Sequence, residues 1–244
     1  CLITGGTGTY GTACVNYLLK EDLFEKIIVF SRDEFKQCQM KAYISKNFEN
    51  SNKVRFFIGD VRDLDRLKRS FNGVDYVIHA SALKNIDSTE YNPDECVKTN
   101  VLGTMNVVEA SIGAEVKKVL LISSDKSCNP TLCYGASKLL AEKFVIAANS
   151  YSKNTRFSIV RYGNIVGSRG SILETLLQNE DAEFKLTHKD MTRFFFMIDD
   201  AIQLSLFALQ NSLGGEIFLP HIRSFRIADL FKLINPNKKY IISL

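Results

Sequence analysis

The sequence predicts an α/β protein: a doubly wound parallel sheet with a smaller cap contributed by the C-terminal segment. Strand-forming runs alternate with amphipathic runs through residue 162, the pattern of repeated β-α-β units. The chain also opens with a strand end that runs straight into a glycine-rich turn and then a helical apolar stretch. Every chemistry-bearing motif follows a strand, and in an open α/β sheet that edge is where ligands bind.

Taken in order, Cys1-Leu2-Ile3-Thr4-Gly5-Gly6-Thr7-Gly8-Thr9-Tyr10-Gly11 leads into apolar Ala13 to Leu19, so a helix is expected over Thr9–Lys20. Strands are expected at Lys26–Phe30, Val54–Ile58, Tyr76–His79, Lys118–Ile122 and Phe157–Arg161, where β-branched and aromatic residues cluster. Helical periodicity falls between them at Glu34–Asn47, Leu64–Phe71, Asp94–Ile112 and Tyr134–Asn149. Beyond Gly163 the elements shorten: helix Ile172–Gln178, strand Thr192–Met197, helix Asp199–Asn211, strand Glu216–Leu219 and helix Ile227–Ile234. They read as a cap over the sheet's carboxyl edge, where caps commonly select substrate.

The composition, 45% hydrophobic and 24% charged over 244 residues, is that of a globular protein large enough for one α/β core and a smaller lobe. No run reaches the roughly 20 apolar residues of a spanning helix, and no signal segment opens the chain, so a cytoplasmic setting without a membrane role is expected. The net charge of +4 is scattered rather than gathered in a stripe, which gives nucleic-acid binding no support. Cys1, Cys14, Cys38, Cys96, Cys128 and Cys133 contain no Cys-x-x-Cys pair, and His79, His188 and His221 are far apart, so no metal site is expected. The chain starts without Met inside a strand and stops in the apolar run Tyr240-Ile241-Ile242, and both ends read as cut.

Within the glycine turn, Gly5 permits the tight turn, Gly8 lets backbone approach a pyrophosphate, and Gly11 lets the helix pack closely. A dinucleotide is the implied ligand. The second strand ends in Phe30-Ser31-Arg32-Asp33, where an acidic residue would bond the 2′-hydroxyl of NAD and a basic one the 2′-phosphate of NADP. Ser31 and Arg32 come first and favour NADP; Asp33 either meets the ribose or starts the next helix. Asp60 and Val61 after the third strand could meet the adenine, small Ala80 and Ser81 after the fourth could lie along the cofactor, and Asn100 is a polar residue in an otherwise apolar helix pattern. On this reading residues 1–162 form the NADP-binding domain and 163–244 the smaller substrate-binding region.

Tyr134 and Lys138 stand four apart at the start of a helical stretch, on one face and about one turn apart. A lysine cation beside a phenol lowers the phenol's pKa, which suits removal of a hydroxyl proton as hydride leaves the carbon. Asp125 and Lys126, just past a strand, would supply a second acid/base pair; an exposed ion pair between neighbours is the plainer alternative.

These residues resemble the extended short-chain dehydrogenase/reductase family with its Rossmann-type fold, and more narrowly the inverting UDP-N-acetylglucosamine 4,6-dehydratases. The likeness runs through Thr4–Gly11, Ser31-Arg32-Asp33-Glu34, Gly59-Asp60-Val61-Arg62-Asp63, Ser124-Asp125-Lys126, Tyr134-Gly135-Ala136-Ser137-Lys138, Arg161-Tyr162-Gly163-Asn164 and Met191-Thr192-Arg193-Phe194. It implies oxidation at sugar C4 by Tyr134 and Lys138, removal of the C5 proton by Lys126, protonation of the departing 6-hydroxyl by Asp125, and a tightly held, recycled NADP. It extends the cofactor set to Thr7, Thr9, Tyr10, Lys36, Lys84 and Thr99, and assigns the UDP-activated amino sugar to Lys84, Asn164, Ile172, Thr187 and Arg193. A homo-oligomer, a hexamer in similar enzymes, is also implied. A 4-epimerase shares the glycine turn and the Tyr/Lys pair but has no work for Asp125 and Lys126. A non-catalytic dinucleotide sensor would need none of the four.

Overall fold

The computed structural model describes residues 1–166, 184–186, 188–234 and 240–242. Seven parallel strands form the main sheet. Six of them are β1 (Leu2–Thr4), β2 (Ile27–Ser31), β3 (Val54–Ile58), β4 (Tyr76–His79), β5 (Lys118–Ser124) and β6 (Arg156–Tyr162). Their order is β3-β2-β1-β4-β5-β6, and the short strand Ile217–Phe218 pairs with β6 as the seventh. The helices are α1 (Thr9–Lys20), α2 (Glu34–Asn47), α3 (Leu64–Phe71), α4 (Ile86–Tyr91), α5 (Pro93–Val97), α6 (Gly103–Gly113) and α7 (Cys133–Tyr151).

The strands are apolar on both faces because both are covered. Alternate residues go to opposite sides: Leu2, Phe30, Val77, Leu121 and Ile159 join a core beneath α3, α6 and α7, while Ile3, Val29, Ile78, Leu120 and Val160 join one beneath α1 and α2. Helix Ile198–Asn211 packs on α1 and sends Ala201, Ile202, Ala208 and Leu209 into the second core. The chain therefore returns to the main sheet after residue 162 for this helix and for the seventh strand. The smaller region has its own sheet, with Thr192–Phe196 between Asn164–Ile165 and Ser224–Arg226, and a small apolar cluster of Leu186, Ile227 and Ala228.

Helix starts follow side-chain chemistry. Asp33 caps α2 by accepting from Lys36 N, and Asp63 caps α3 by accepting from Arg66 N. The expected single helix Asp94–Ile112 is instead α5 and α6 joined through a π-turn at Lys98–Leu102. A π-turn holds an extra residue and redirects the side chains it contains, here Thr99 and Asn100, which it buries. Helix Ile172–Gln178 lies outside the described residues.

β1 and β4 adjoin where the strand order reverses, and a buried polar chain ties their ends together. Thr104 donates its hydroxyl proton to Asn100 O at 2.6 Å, so its oxygen accepts from His79 Nε2 at 3.0 Å. That leaves His79 Nδ1 to accept from the Thr4 hydroxyl at 2.6 Å, and Thr4 Oγ1 in turn accepts from Ser81 N at 3.3 Å. His79 is neutral in this chain: burial, with a smaller contribution from the Lys138 charge, pulls its pKa down to about 3. An unfolded histidine titrates near 6.5, so as pH falls below that value the unfolded chain gains a proton that the native chain refuses until about 3. Stability that is full above pH 6.5 is therefore lost toward pH 3, at about 1.4 kcal/mol per pH unit from this group. In urea titrations the unfolding midpoint should fall more steeply from pH 6.5 to 4 in the wild type than in His79→Gln; parallel slopes would contradict the assignment.

Candidate functional site

The carboxyl ends of β1, β4, β5 and β6 open onto a cavity of about 690 Å³. The glycine turn forms one wall, through Gly5, Gly8, Thr9, Tyr10 and Gly11. Gly5 takes φ +66°, a left-handed conformation that favours glycine, and a side chain there would meet Ala80 O and Ser81 N at 2.9 Å. A side chain at Gly11 would strike the backbone of Gly5 and Gly6, so this glycine seats α1 against the turn itself rather than against the sheet. Gly8 is the N-cap of α1 with no side chain to cap it, leaving N–H groups at that end for an anion. Thr7, half-buried, belongs to the same turn.

The second wall carries the residues expected to handle protons. Lys126, Tyr134 and Lys138 all line the cavity, as do Lys84, Asn164, Arg193 and Ala80. Lys126 Nζ donates to Asp125 Oδ1 at 3.1 Å and to Asn164 Oδ1 at 3.0 Å. Asp125 is not among the residues that line the cavity; its Oδ1 also accepts from the Ser124 hydroxyl at 2.9 Å. Both side chains are about one-third exposed and bound as an ion pair.

Tyr134 departs from the sequence expectation. Burial pushes its phenol up to about 12; a hydrogen bond with Ser124 works against this, while the nearby Asp125 charge adds to it. Lys138 does not pull the phenol down, because burial also lowers its own pKa to about 8 and its ammonium is engaged with Ile122 O at 2.7 Å. Sequence reasoning missed Ser124, the last residue of β5, which touches both Tyr134 and Asp125. Its signal was its place next to Asp125 at a strand end.

The remaining expected cofactor residues lie along β2, β3 and the π-turn. Asp33 is committed to the α2 cap and to Lys36, whose Nζ is 2.9 Å from its carboxylate. Of the two roles open to it, starting the helix is the one the geometry supports. Ser31 is buried and accepts from Gln37 Nε2 at 3.0 Å. Arg32 is half-exposed, 3.4 Å from Asp60, which is forked more tightly by Arg62. Val61 does not offer its side chain to a ligand: it is 4% exposed and belongs to the core. Asn100 is neither a surface residue nor part of the cavity lining. Its amide accepts from Leu83 N at 2.8 Å and donates to Leu83 O at 2.9 Å and Ser137 Oγ at 3.0 Å, bracing the loop after β4 against α7. Thr99 is buried with its hydroxyl unpaired. Ile172 and Thr187 lie outside the described residues. Among the described residues there is no cluster of three or more potential metal ligands and no helix long and apolar enough to cross a membrane.

Residues 1–240 match the model of a family described as polysaccharide biosynthesis protein. A UDP-N-acetylglucosamine 4,6-dehydratase (inverting) of Campylobacter jejuni is 45% identical over 97% of this chain and 71% of its own length. A UDP-glucose 4-epimerase of Rickettsia felis is 39% identical over 96% of this chain and 69% of its own. The crystal structure of Pen from Bacillus thuringiensis, 35% identical, covers 99% of this chain and 78% of its own with a TM-score of 0.91. With the seven strands of the main sheet and both walls of the cavity inside the matched span, the chain belongs to the polysaccharide biosynthesis protein family.

Proposed function

We infer that this protein is a nucleotide-sugar 4,6-dehydratase of the extended short-chain dehydrogenase/reductase type. It converts UDP-N-acetylglucosamine to a UDP-4-keto-6-deoxy-N-acetylhexosamine with inversion at C5, and uses NADP. One observation carries the reading: Lys126, paired with Asp125 at 3.1 Å, opens into the same cavity as Tyr134 and Lys138, beside the glycine turn. The 45% identity to an inverting dehydratase supports the substrate.

The bound dinucleotide supplies the acceptor for the C4 hydride, its return to C6, and in oxidised form a positive ring that favours the phenolate. Tyr134 takes the C4 hydroxyl proton, oriented by Ser124. The ketone then acidifies the C5 proton. Moving the shared proton from Lys126 Nζ to Asp125 Oδ1 produces a neutral amine and a neutral acid together, with no change in the pair's net charge. The amine removes the C5 proton, the acid protonates the departing 6-hydroxyl, and the loss of water restores the original ion pair; C5 must take a proton as hydride returns to C6, and the proton that Tyr134 took from the C4 hydroxyl is the one that balances the turnover. Partial exposure suits this cycle, since the pair needs each form in turn rather than one fixed neutral state.

NADP rather than NAD is supported by the divided labour at the end of β2. Asp33, which could have met a ribose hydroxyl, is occupied with the helix cap, while Arg32 is only loosely held by Asp60 and free to receive a 2′-phosphate. The part of the chain up to 162 supplies the dinucleotide wall, and Asn164 and Arg193 bring the smaller region to the sugar nucleotide. The second reading, a 4-epimerase, has the Rickettsia relative in its favour. It leaves the Lys126–Asp125 pair without a task.

Mass analysis of UDP-N-acetylglucosamine after incubation with the protein decides between them: dehydration removes one water and epimerisation removes nothing. Lys126→Ala should slow water loss by about 100-fold or more while dinucleotide binding, measured by calorimetry, is retained; full turnover would exclude Lys126 as the base. Arg32→Ala should weaken NADP binding by about tenfold to a hundredfold and leave NAD binding within about twofold; an equal loss for both dinucleotides would remove Arg32 from 2′-phosphate recognition.

A further inference from the structure

We propose that Glu142 is a positioning residue for the elimination step, holding the Asp125–Lys126 turn in register with Tyr134 through Ser127. The inference rests on the dehydratase reading. Glu142 stands eight residues after Tyr134 and four after Lys138, so all three share one face of α7. It is 1% exposed, yet its carboxylate is fully partnered. Oε1 accepts from the hydroxyls of Ser123 and Ser127, the latter at 2.8 Å, and from Arg161 Nε at 2.9 Å, while Oε2 accepts from Arg161 Nη2. Burial opposes the charged form, but Arg161 and the two serines outweigh it and hold the carboxyl below its ordinary pKa, so Glu142 is a fixed anion.

What that anion grips is the reactive turn. Asp125–Ser127 is a single 3₁₀ turn, and Ser127 closes it, its one hydroxyl proton shared between Ser124 O at 2.7 Å and Glu142 Oε1 at 2.8 Å. The other side of the turn is pressed against α7 at Gly135, where a side chain would collide with Lys126 O. Helix α7 thus presents the oxidation pair directly and clamps the elimination pair through Gly135 and Glu142. A shift of the turn would leave Tyr134 and Lys138 in place but move Lys126 and Asp125 off C5 and C6.

This division predicts a defect in one half of the reaction. Ser127→Ala removes the link and leaves the Glu142–Arg161 pair intact, so it tests the idea even if Glu142→Gln folds poorly. With UDP-N-acetylglucosamine, Ser127→Ala should lower kcat for water loss about tenfold with KM within about twofold. A 4-keto sugar that retains its 6-hydroxyl should accumulate to as much as one equivalent per bound dinucleotide, since each oxidation leaves one NADP reduced, and be visible by mass as two hydrogens lighter than substrate. A merely structural role would reduce the amount of active enzyme without accumulating that ketone, and this outcome, or turnover within about twofold of wild type, overturns the proposal. Absence of water loss in the wild type would instead overturn the dehydratase reading beneath it.

Discussion

Parallel pairing of β5 with β4 and β6 is the constraint on which the site depends. It aligns Leu121 with His79 and Ser124 with Tyr162, so the ends of three strands finish at one edge. A parallel sheet makes this unavoidable, since all its strands run the same way and every loop that follows a strand emerges on the same side. The glycine turn, the Asp125–Ser127 turn and the Gly163–Asn164 segment come together through strand direction alone, although more than a hundred residues separate the first from the second. Covering both faces with helices is what permits those strands to be apolar throughout.

Much of this framework could be read from the chain because its signals are local. The bounds of α1, α2 and α3, and of β3 and β4, agree with the sequence expectation, since capping aspartates and runs of β-branched residues act within a few positions of themselves. The short helix α4 escaped notice: it has six residues, too few for a period to show, and its one marker is the Asn85 cap. The π-turn was invisible for a different reason: Lys98–Leu102 continues the helical pattern without Gly or Pro, and its extra residue is accommodated by tertiary contacts of Asn100.

Residue types at the site were legible, but their electrostatic states were not. Spacing puts Tyr134 and Lys138 on one helix face, which predicts a phenolate base favoured by a neighbouring cation. Spacing does not measure solvent, and burial dominates both groups. Val61 and Asp33 show a similar limit. Each sits at a position suited to ligand contact, and each is engaged by a neighbour, the core in one case and a helix end in the other. Glu142 with Arg161 was beyond reach, since a pairing of residues 19 apart on a helix and a strand is a property of how those elements dock.

The bulge between α5 and α6 has a consequence for how this chain tolerates change in length. An α-helix advances about 100° per residue, so removing one residue between Lys98 and Leu102 would restore regular winding and rotate everything on one side of the cut by about that angle relative to the other. Either Asn100 would swing off the loop it braces or α6 would lose its apolar face to solvent. This stretch is therefore intolerant of a single-residue deletion, the reverse of the tolerance expected in a surface connection.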